Sequence, residues 1–287
     1  GSDRGAGVTR LAGRVLLITG STGIAAATAE RAAAEGASVF VVSKTGDHAR
    51  TLADRLDGAA WAQADLTDEA AVDAAVTAAI DRFGRIDGLF SAVGGSGRRF
   101  GDGPVHTVTA DAWEATAALN LRTQVLVCGR VVRAMREQTP DDSGMRGSVL
   151  ILGSVTTAAP VPELFGTHAY AAAKGALTAL MTTMAATYIA DRIRVNLVVP
   201  SLTATPMATR AASDPHILDY AARKQPLAGP MLDPDEVAKA AIYFLSDESR
   251  AVTGQSLAID GGWSIISTSA EPTPMPDTGG RRDGGSA

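Results

Sequence analysis

The chain of 287 residues contains a single cysteine, Cys128, so no disulfide framework can form within it. Cys128 stands in the apolar run Val125-Leu126-Val127-Cys128, where a buried structural thiol is expected. No stretch approaches the roughly 18 uninterrupted apolar residues of a membrane span. The start, Gly1-Ser2-Asp3-Arg4-Gly5, lacks the apolar character of a signal peptide, so a soluble cytoplasmic protein without a membrane partner is expected. Charge of one sign is not segregated either. The net charge is −5 and the sequence pI about 5.4, with both signs interspersed, which argues against a nucleic-acid-binding face. No internal repeat and no linker interrupts the chain, so one domain over 11–266 is expected.

What the chain has is apolar material, 46% of its residues, enough for a sizeable core. Short β-branched apolar runs alternate with longer alanine-rich helical patterns, the mark of a parallel sheet with helices on both faces. Strands are predicted at 15–18, 38–42, 88–90, 149–152, 193–198 and 256–259, with a weaker one near 60–62. Helices are predicted over about 23–35, 47–56, 69–83, 111–137, 169–189 and 234–246. The fold class is α/β, a single-domain Rossmann-like doubly wound parallel sheet of about seven strands. The patterns 111–137 and 169–189 are apolar on more than one face, so each should bury one face on the sheet and another on a partner subunit. Residues 1–10, and 267–287 with their Pro, Gly and Ser, are expected to be disordered.

The first strand runs straight into Thr19-Gly20-Ser21-Thr22-Gly23-Ile24-Ala25. A glycine-rich turn between strand and helix lets backbone N–H groups approach a pyrophosphate, whose charge the helix N-terminus favours. The second strand ends Val41-Val42-Ser43-Lys44-Thr45, without the acid that would hold an adenosine ribose. Ser43 and Lys44 suit a 2′-phosphate instead, which favours NADP over NAD. Further on, Tyr170 and Lys174 are four residues apart in a helical pattern and share a face. A nearby ammonium favours the phenolate and lowers a pKa ordinarily near 10, so the pair suits acid/base work. Alone, it equally suits a Tyr packed on a core and a Lys reaching to water.

Taken in order, these motifs resemble the short-chain dehydrogenase/reductase family over about residues 11–266. The matching elements are the glycine turn, Ala64-Asp65-Leu66 after the third strand, Ser91-Ala92-Val93-Gly94 after the fourth and Asn120 in Ala118-Leu119-Asn120-Leu121. Ser154 after the fifth strand, Tyr170-x-x-x-Lys174 and Pro200-Ser201-Leu202-Thr203-Ala204-Thr205-Pro206-Met207 follow. Val252-Thr253-Gly254-Gln255 and Asp260-Gly261-Gly262-Trp263 close the series. The resemblance implies a catalytic set of Asn120, Ser154, Tyr170 and Lys174. Tyr170 would protonate the carbonyl oxygen in reduction and deprotonate the alcohol in oxidation, and Ser154 would hydrogen-bond the same oxygen. Lys174 would bind the nicotinamide ribose and depress the Tyr170 pKa, while Asn120 would hold a relay water. The cofactor-binding set is Thr19, Gly20, Ser21, Thr22, Gly23, Ile24, Ser43, Lys44, Asp65, Leu66, Ala92, Gly94, Pro200 and Thr205, together with Tyr170 and Lys174. Asp65 would meet the adenine and Thr205 the nicotinamide carboxamide. A small-molecule substrate, no metal, and a homotetramer or homodimer are implied.

The chain departs from the family pattern at several places. Only Ser21 and Thr22 separate Gly20 from Gly23, one residue fewer than usual, and Ala25 stands at the third glycine. Ser91, Ala92 and Val93 replace a turn that usually carries two asparagines, Gly153 replaces the Ser usual before Ser154, and Ser201 replaces the Gly usual after Pro200. Two segments are lengthened, 95–104 and 156–167, and both leave the carboxyl ends of strands, where substrate walls are expected. Arg98 and Arg99 in the first either attract an acidic substrate or sit in water. Residues 204–222 are expected to form a helical lid with Met207, Ile217, Leu218 and Tyr220 facing an apolar substrate. The leading expectation is an NAD(P)-dependent oxidoreductase interconverting a secondary alcohol and a ketone. A non-redox lyase, isomerase or cyclase on the same scaffold, and a dinucleotide sensor without catalysis, are the alternatives.

Overall fold

The computed structural model describes residues 9–267, and most of the two termini expected to be disordered lie outside that range. In chain order the elements are β1 (Val15–Thr19), α1 (Gly23–Ala34), β2 (Ser38–Ser43), α2 (Gly46–Ala53), β3 (Ala60–Gln63) and α3 (Glu69–Phe83). Then come β4 (Gly88–Ser91), α4 (Ala110–Ala117), α5 (Thr123–Glu137), β5 (Gly147–Leu152), α6 (Pro162–Phe165) and α7 (His168–Tyr188). The chain continues through β6 (Ile193–Pro200), α8 (Thr209–Ala212), α9 (Pro215–Lys224), α10 (Pro234–Leu245) and β7 (Ser256–Ile259). The strands form one parallel 7-stranded sheet in the order β3-β2-β1-β4-β5-β6-β7. The order reverses between β1 and β4, which opens a crevice at the carboxyl edge, the place where such sheets bind ligands.

The alternation of side chains along each strand divides the core. Leu16 and Ile18 point to the layer of α1, α2 and α10, where they meet Ala29, Leu52, Val237 and Ile242. Leu17 points the other way, into the layer of α3, α5 and α7, with Val76, Val131, Leu177 and Met181. Both faces of the central strand β1 are covered, so all five of its residues are buried rather than alternating with exposed polar ones. Truncating one of these leucines to Ala would cost about 2–5 kcal/mol.

The predicted helix 111–137 is interrupted. At Ala118–Arg122 the backbone adopts a π-turn in which the N–H of Thr123 reaches back to the carbonyl of Ala118. Such a bulge carries an extra residue and recurs where a helix must present one side chain out of register. Here that residue is Asn120, fully buried. The outer face of α7 is formed by alanines and threonines rather than large apolar residues. The hydroxyls of Thr182, Thr183 and Thr187 turn back onto the helix's own carbonyls, which leaves a surface of small groups.

The lid segment forms α8 and α9, but its contacts differ from those expected. Ile217 is 1% exposed and belongs to the packed interior, because the amphipathic α9 turns that face onto the body of the domain. Tyr220 packs edge-on against Trp263, which also meets Phe165. Met207 is exposed. Among the described residues no helix is long and apolar enough to cross a membrane, and no group of His, Cys, Asp and Glu could hold a metal ion.

Candidate active site

Helix α7 brings Tyr170 and Lys174 to the carboxyl edge of β5. The Lys174 side chain is buried and its Nζ donates to the main-chain carbonyl of Leu152 at 2.7 Å. Burial alone lowers its pKa to about 8. The same burial raises the Tyr170 phenol above its usual value, and hydrogen bonding with Ser154 pulls it partly back. The depression of Tyr170 expected from Lys174 is therefore not what these side chains produce. The ammonium lies 5.9 Å from the Tyr170 ring centroid and is engaged by Leu152, while the phenol feels mainly its own desolvation. Ser154, at the end of β5, caps a single 3₁₀ turn by accepting the N–H of Thr156, and its Oγ lies 2.9 Å from Thr156 Oγ1.

Asn120 is used as a clasp. Its Oδ1 accepts the N–H of Gly95 at 2.9 Å, and its Nδ2 donates to the carbonyls of Gly95 at 2.9 Å and Thr116 at 3.0 Å. Both amide hydrogens are thereby committed, and the loop after β4 is fixed at a definite height over the sheet. A Cβ at Gly94 would fall 2.8 Å from Asn120 Oδ1 and 3.3 Å from Lys174 Nζ. Only glycine fits there, and the turn after β4, the π-turn and α7 meet around it.

The N-terminus of α7 takes its cap from far away in sequence. Thr167, at the N-cap position, makes no side-chain cap bond. Instead the buried carboxylate of Asp102 accepts the N–H of Ala169 and that of Tyr170, each at 2.9 Å. The neighbouring N–H of Val105 donates to His168 Nδ1, and the N–H of His168 to the carbonyl of Gly103. The lengthened segment 95–104 thus braces the helix that carries Tyr170, a role visible in sequence only as an Asp between two glycines.

The glycine turn occupies the other half of the crevice. Gly20 and Gly23 have φ of +99° and +55°, in the region that favours glycine. The Ala25 methyl stands 3.1 Å from where a Gly20 Cβ would lie, and Thr205 Cγ2 lies 2.7 Å from the corresponding position at Gly23. Thr205 therefore closes directly over the turn. Thr19 Oγ1 accepts the N–H groups of Ala92 and Val93 at 2.9 and 3.2 Å, in place of the asparagines missing from that turn. Ser21 Oγ donates to Ser43 Oγ at 3.0 Å, tying the shortened turn to the end of β2. Thr22 occupies the N-cap position of α1, Ile24 is buried in its first turn, and Pro200 ends β6 beside Ile259.

Beyond Ser43 lies a cavity of about 380 Å³, lined by Lys44, Asp65, Leu66, Thr67, Arg99 and Phe100 among others. Lys44 Nζ is 2.6 Å from Asp65 Oδ2, and together with Thr67 it holds the Asp65 carboxyl down to about 2. Arg99, whose guanidinium stacks on Phe100 at 4.6 Å, reaches this cavity from the loop after β4. No motif in the sequence points to that placement. The glycines with positive φ, the tight fit at Gly94 and a cavity of this size at the ends of β2 and β3 suit a dinucleotide.

Geometry and sequence here agree with known proteins. A family model described as enoyl-(acyl carrier protein) reductase matches residues 18–264. The cis-4-hydroxycyclohexanecarboxylate dehydrogenase of Sinomonas cyclohexanicum is 35% identical over 258 residues, 88% of this chain and 97% of its own. Levodione reductase of Leifsonia aquatica is 35% identical over 269 residues, 89% of this chain and 96% of its own. A 3-ketoacyl-(acyl-carrier-protein) reductase from Brucella melitensis, solved in complex with NADH, superposes with a TM-score of 0.78 at 28% identity, covering 89% of this chain and 100% of its own. The fold and the crevice define a nicotinamide-dependent oxidoreductase. The chain belongs to the short-chain dehydrogenase/reductase family and interconverts a secondary alcohol and a ketone.

Proposed function

We propose that Tyr170 is the acid/base of this reaction and that the cofactor is NADP(H). The observation that carries the reading is the convergence of a buried phenol, the Ser154 hydroxyl and a desolvated ammonium at one point of the crevice. When bound, the nicotinamide supplies or accepts the hydride. The residues that would hold it are those of the turn 19–24, Ala92, Gly94, Pro200 and Thr205. Ser154 positions the substrate oxygen by a hydrogen bond, and Tyr170 delivers a proton to that oxygen as charge builds on it, or removes one from the alcohol. Lys174, whose Nζ now donates to the Leu152 carbonyl, is the residue that would hold the ribose hydroxyls of a bound cofactor, where its ammonium would favour the phenolate.

Three features support NADP over NAD. No acid ends β2, Lys44 is 78% exposed at its side chain so its pairing with Asp65 is weak and exchangeable, and Arg99 adds a second positive charge to the same cavity. A cytoplasmic homodimer or homotetramer, joined through the small-residue face of α7, belongs to the same reading, and a monomer in light scattering overturns that part.

The test is turnover of a panel of ketones and alcohols that includes levodione and cis-4-hydroxycyclohexanecarboxylate, followed by reduced-cofactor absorbance with each nicotinamide. Tyr170→Phe should abolish turnover and leave cofactor binding nearly intact, and Lys44→Glu should lower kcat/KM for NADPH at least tenfold more than for NADH. Turnover retained by Tyr170→Phe removes Tyr170 from the mechanism. A wild-type preference for NADH removes the 2′-phosphate.

A further inference from the structure

Two arginines from different segments of the crevice end on one atom. Arg98 lies in a 3₁₀ turn (Gly97–Phe100) of the lengthened loop after β4, and Arg210 in α8 of the lid. Their Nη2 atoms donate to the main-chain carbonyl of Leu164 at 3.2 and 2.9 Å. Leu164 belongs to α6, in the segment that joins Ser154 to the Tyr170 helix. The three segments that wall the substrate side of the crevice thus meet at a single neutral acceptor.

That arrangement is electrostatically incomplete. Arg10, Arg14 and Arg31 each face a carboxylate, whereas among the described residues neither Arg98 nor Arg210 forms an ion pair. Asp102 attracts Arg98, but both of its oxygens already accept the N–H groups of Ala169 and Tyr170. Desolvation of the Arg98 guanidinium, and then repulsion from Arg210, put its pKa below the ordinary arginine value. Each guanidinium places one Nη2 donor on the same carbonyl oxygen and keeps further N–H donors free on the exposed side of the pair.

Apolar groups lie next to this pair. The Arg210 guanidinium is 5.9 Å from the Phe165 ring, and Phe165 packs with Trp263, Tyr220 and Val155 in one cluster. Val155 directly follows Ser154. A packed apolar cluster therefore adjoins both the candidate catalytic hydroxyl and the paired guanidiniums.

We propose that Arg98 and Arg210 form an oxyanion-binding subsite at the mouth of the crevice, and that the alcohol or ketone turned over carries a carboxylate on an apolar body. The proposal rests on the oxidoreductase reading and names its substrate class. A carboxylate gives each guanidinium a charge-assisted partner in place of a shared neutral one, and it neutralises their mutual repulsion. Arg99, the adjacent residue, takes no part, since it faces the nucleotide cavity.

The test compares keto acids of increasing chain length with their primary amides, which have nearly the same shape but no charge. For wild type with NADPH, kcat/KM for the best keto acid should exceed that of its amide by about tenfold or more, through KM. In Arg98→Gln, Arg210→Gln and the double variant the acid-to-amide ratio should collapse toward one, with Arg→Lys variants restoring part of it. Calorimetric binding of the same acids and amides to wild type and the double variant reads the subsite without turnover. Equal kcat/KM or equal affinity for acid and amide in wild type overturns the subsite, as does a ratio that survives both substitutions. Absence of turnover for acids and amides alike, with the charge-dependent binding intact, sinks the oxidoreductase reading and leaves the subsite standing.

Discussion

The carboxylate of Asp102 accepts the N–H of Tyr170 at 2.9 Å from 68 residues earlier in the chain. The residue that caps the helix is thus bonded to the residue proposed to carry the proton. Helix N-termini left without such a partner expose several orphan donors, and the Asp102 charge also complements the helix dipole.

Replacing Asp102 with Ala should cost about 1–2 kcal/mol of stability, the usual value of a lost cap, and more where the site stays dry. Because the lost bond reaches Tyr170 itself, kcat should fall severalfold at nearly constant cofactor affinity. Chemical denaturation beside steady-state kinetics checks it; a stability loss with unchanged kcat would reduce Asp102 to a purely structural cap.

Lys174→Met should separate stability from activity. Burial holds the Lys174 pKa at about 8 against 10.5 for an unconstrained lysine. The folded protein then binds fewer protons than the unfolded chain between those values, so this group makes the wild type more stable as pH rises above 8. Below 8 the buried ammonium costs stability, and a thioether of similar shape removes that cost. The variant should melt no lower than wild type at neutral pH, show a flatter rise in stability from pH 8 to 10, and lose turnover by orders of magnitude.

The Tyr170 phenol is raised by burial, so in the protein alone it should not ionise below its ordinary value near 10. Oxidised cofactor should bring it down, because a positive ring favours the phenolate. Ultraviolet difference titrations of wild type against Tyr170→Phe, with and without NADP+, measure this directly. Identical titrations in the two conditions would mean that the cofactor charge does not reach the phenol.

Gly23→Ala should disable the nucleotide half of the crevice. At φ +55° a Cβ meets Thr205 Cγ2 at 2.7 Å, so the substitution both strains the backbone and pushes the lid away. A loss of about 1–3 kcal/mol and a cofactor Kd raised by tenfold or more are expected. Melting curves and fluorescence titration with NADPH provide the numbers.

The sequence by itself determined the alternation of elements, the parallel sheet and the residues that gather at its carboxyl edge. Those follow from local periodicity and from motifs whose spacing is a property of neighbouring residues, as with Thr19 to Gly23 or Tyr170 and Lys174. Only the tertiary structure decided how Arg98 and Arg99 divide, one to the crevice mouth and one to the nucleotide cavity. It also decided that Ile217 packs inward, that Asn120 clasps Gly95 from a π-turn, and that Asp102 caps α7. Each of those contacts joins segments brought together by loop conformation. Hydrophobic period and helix propensity carry no information about such pairings, because they describe a residue's own element and not the one it will meet.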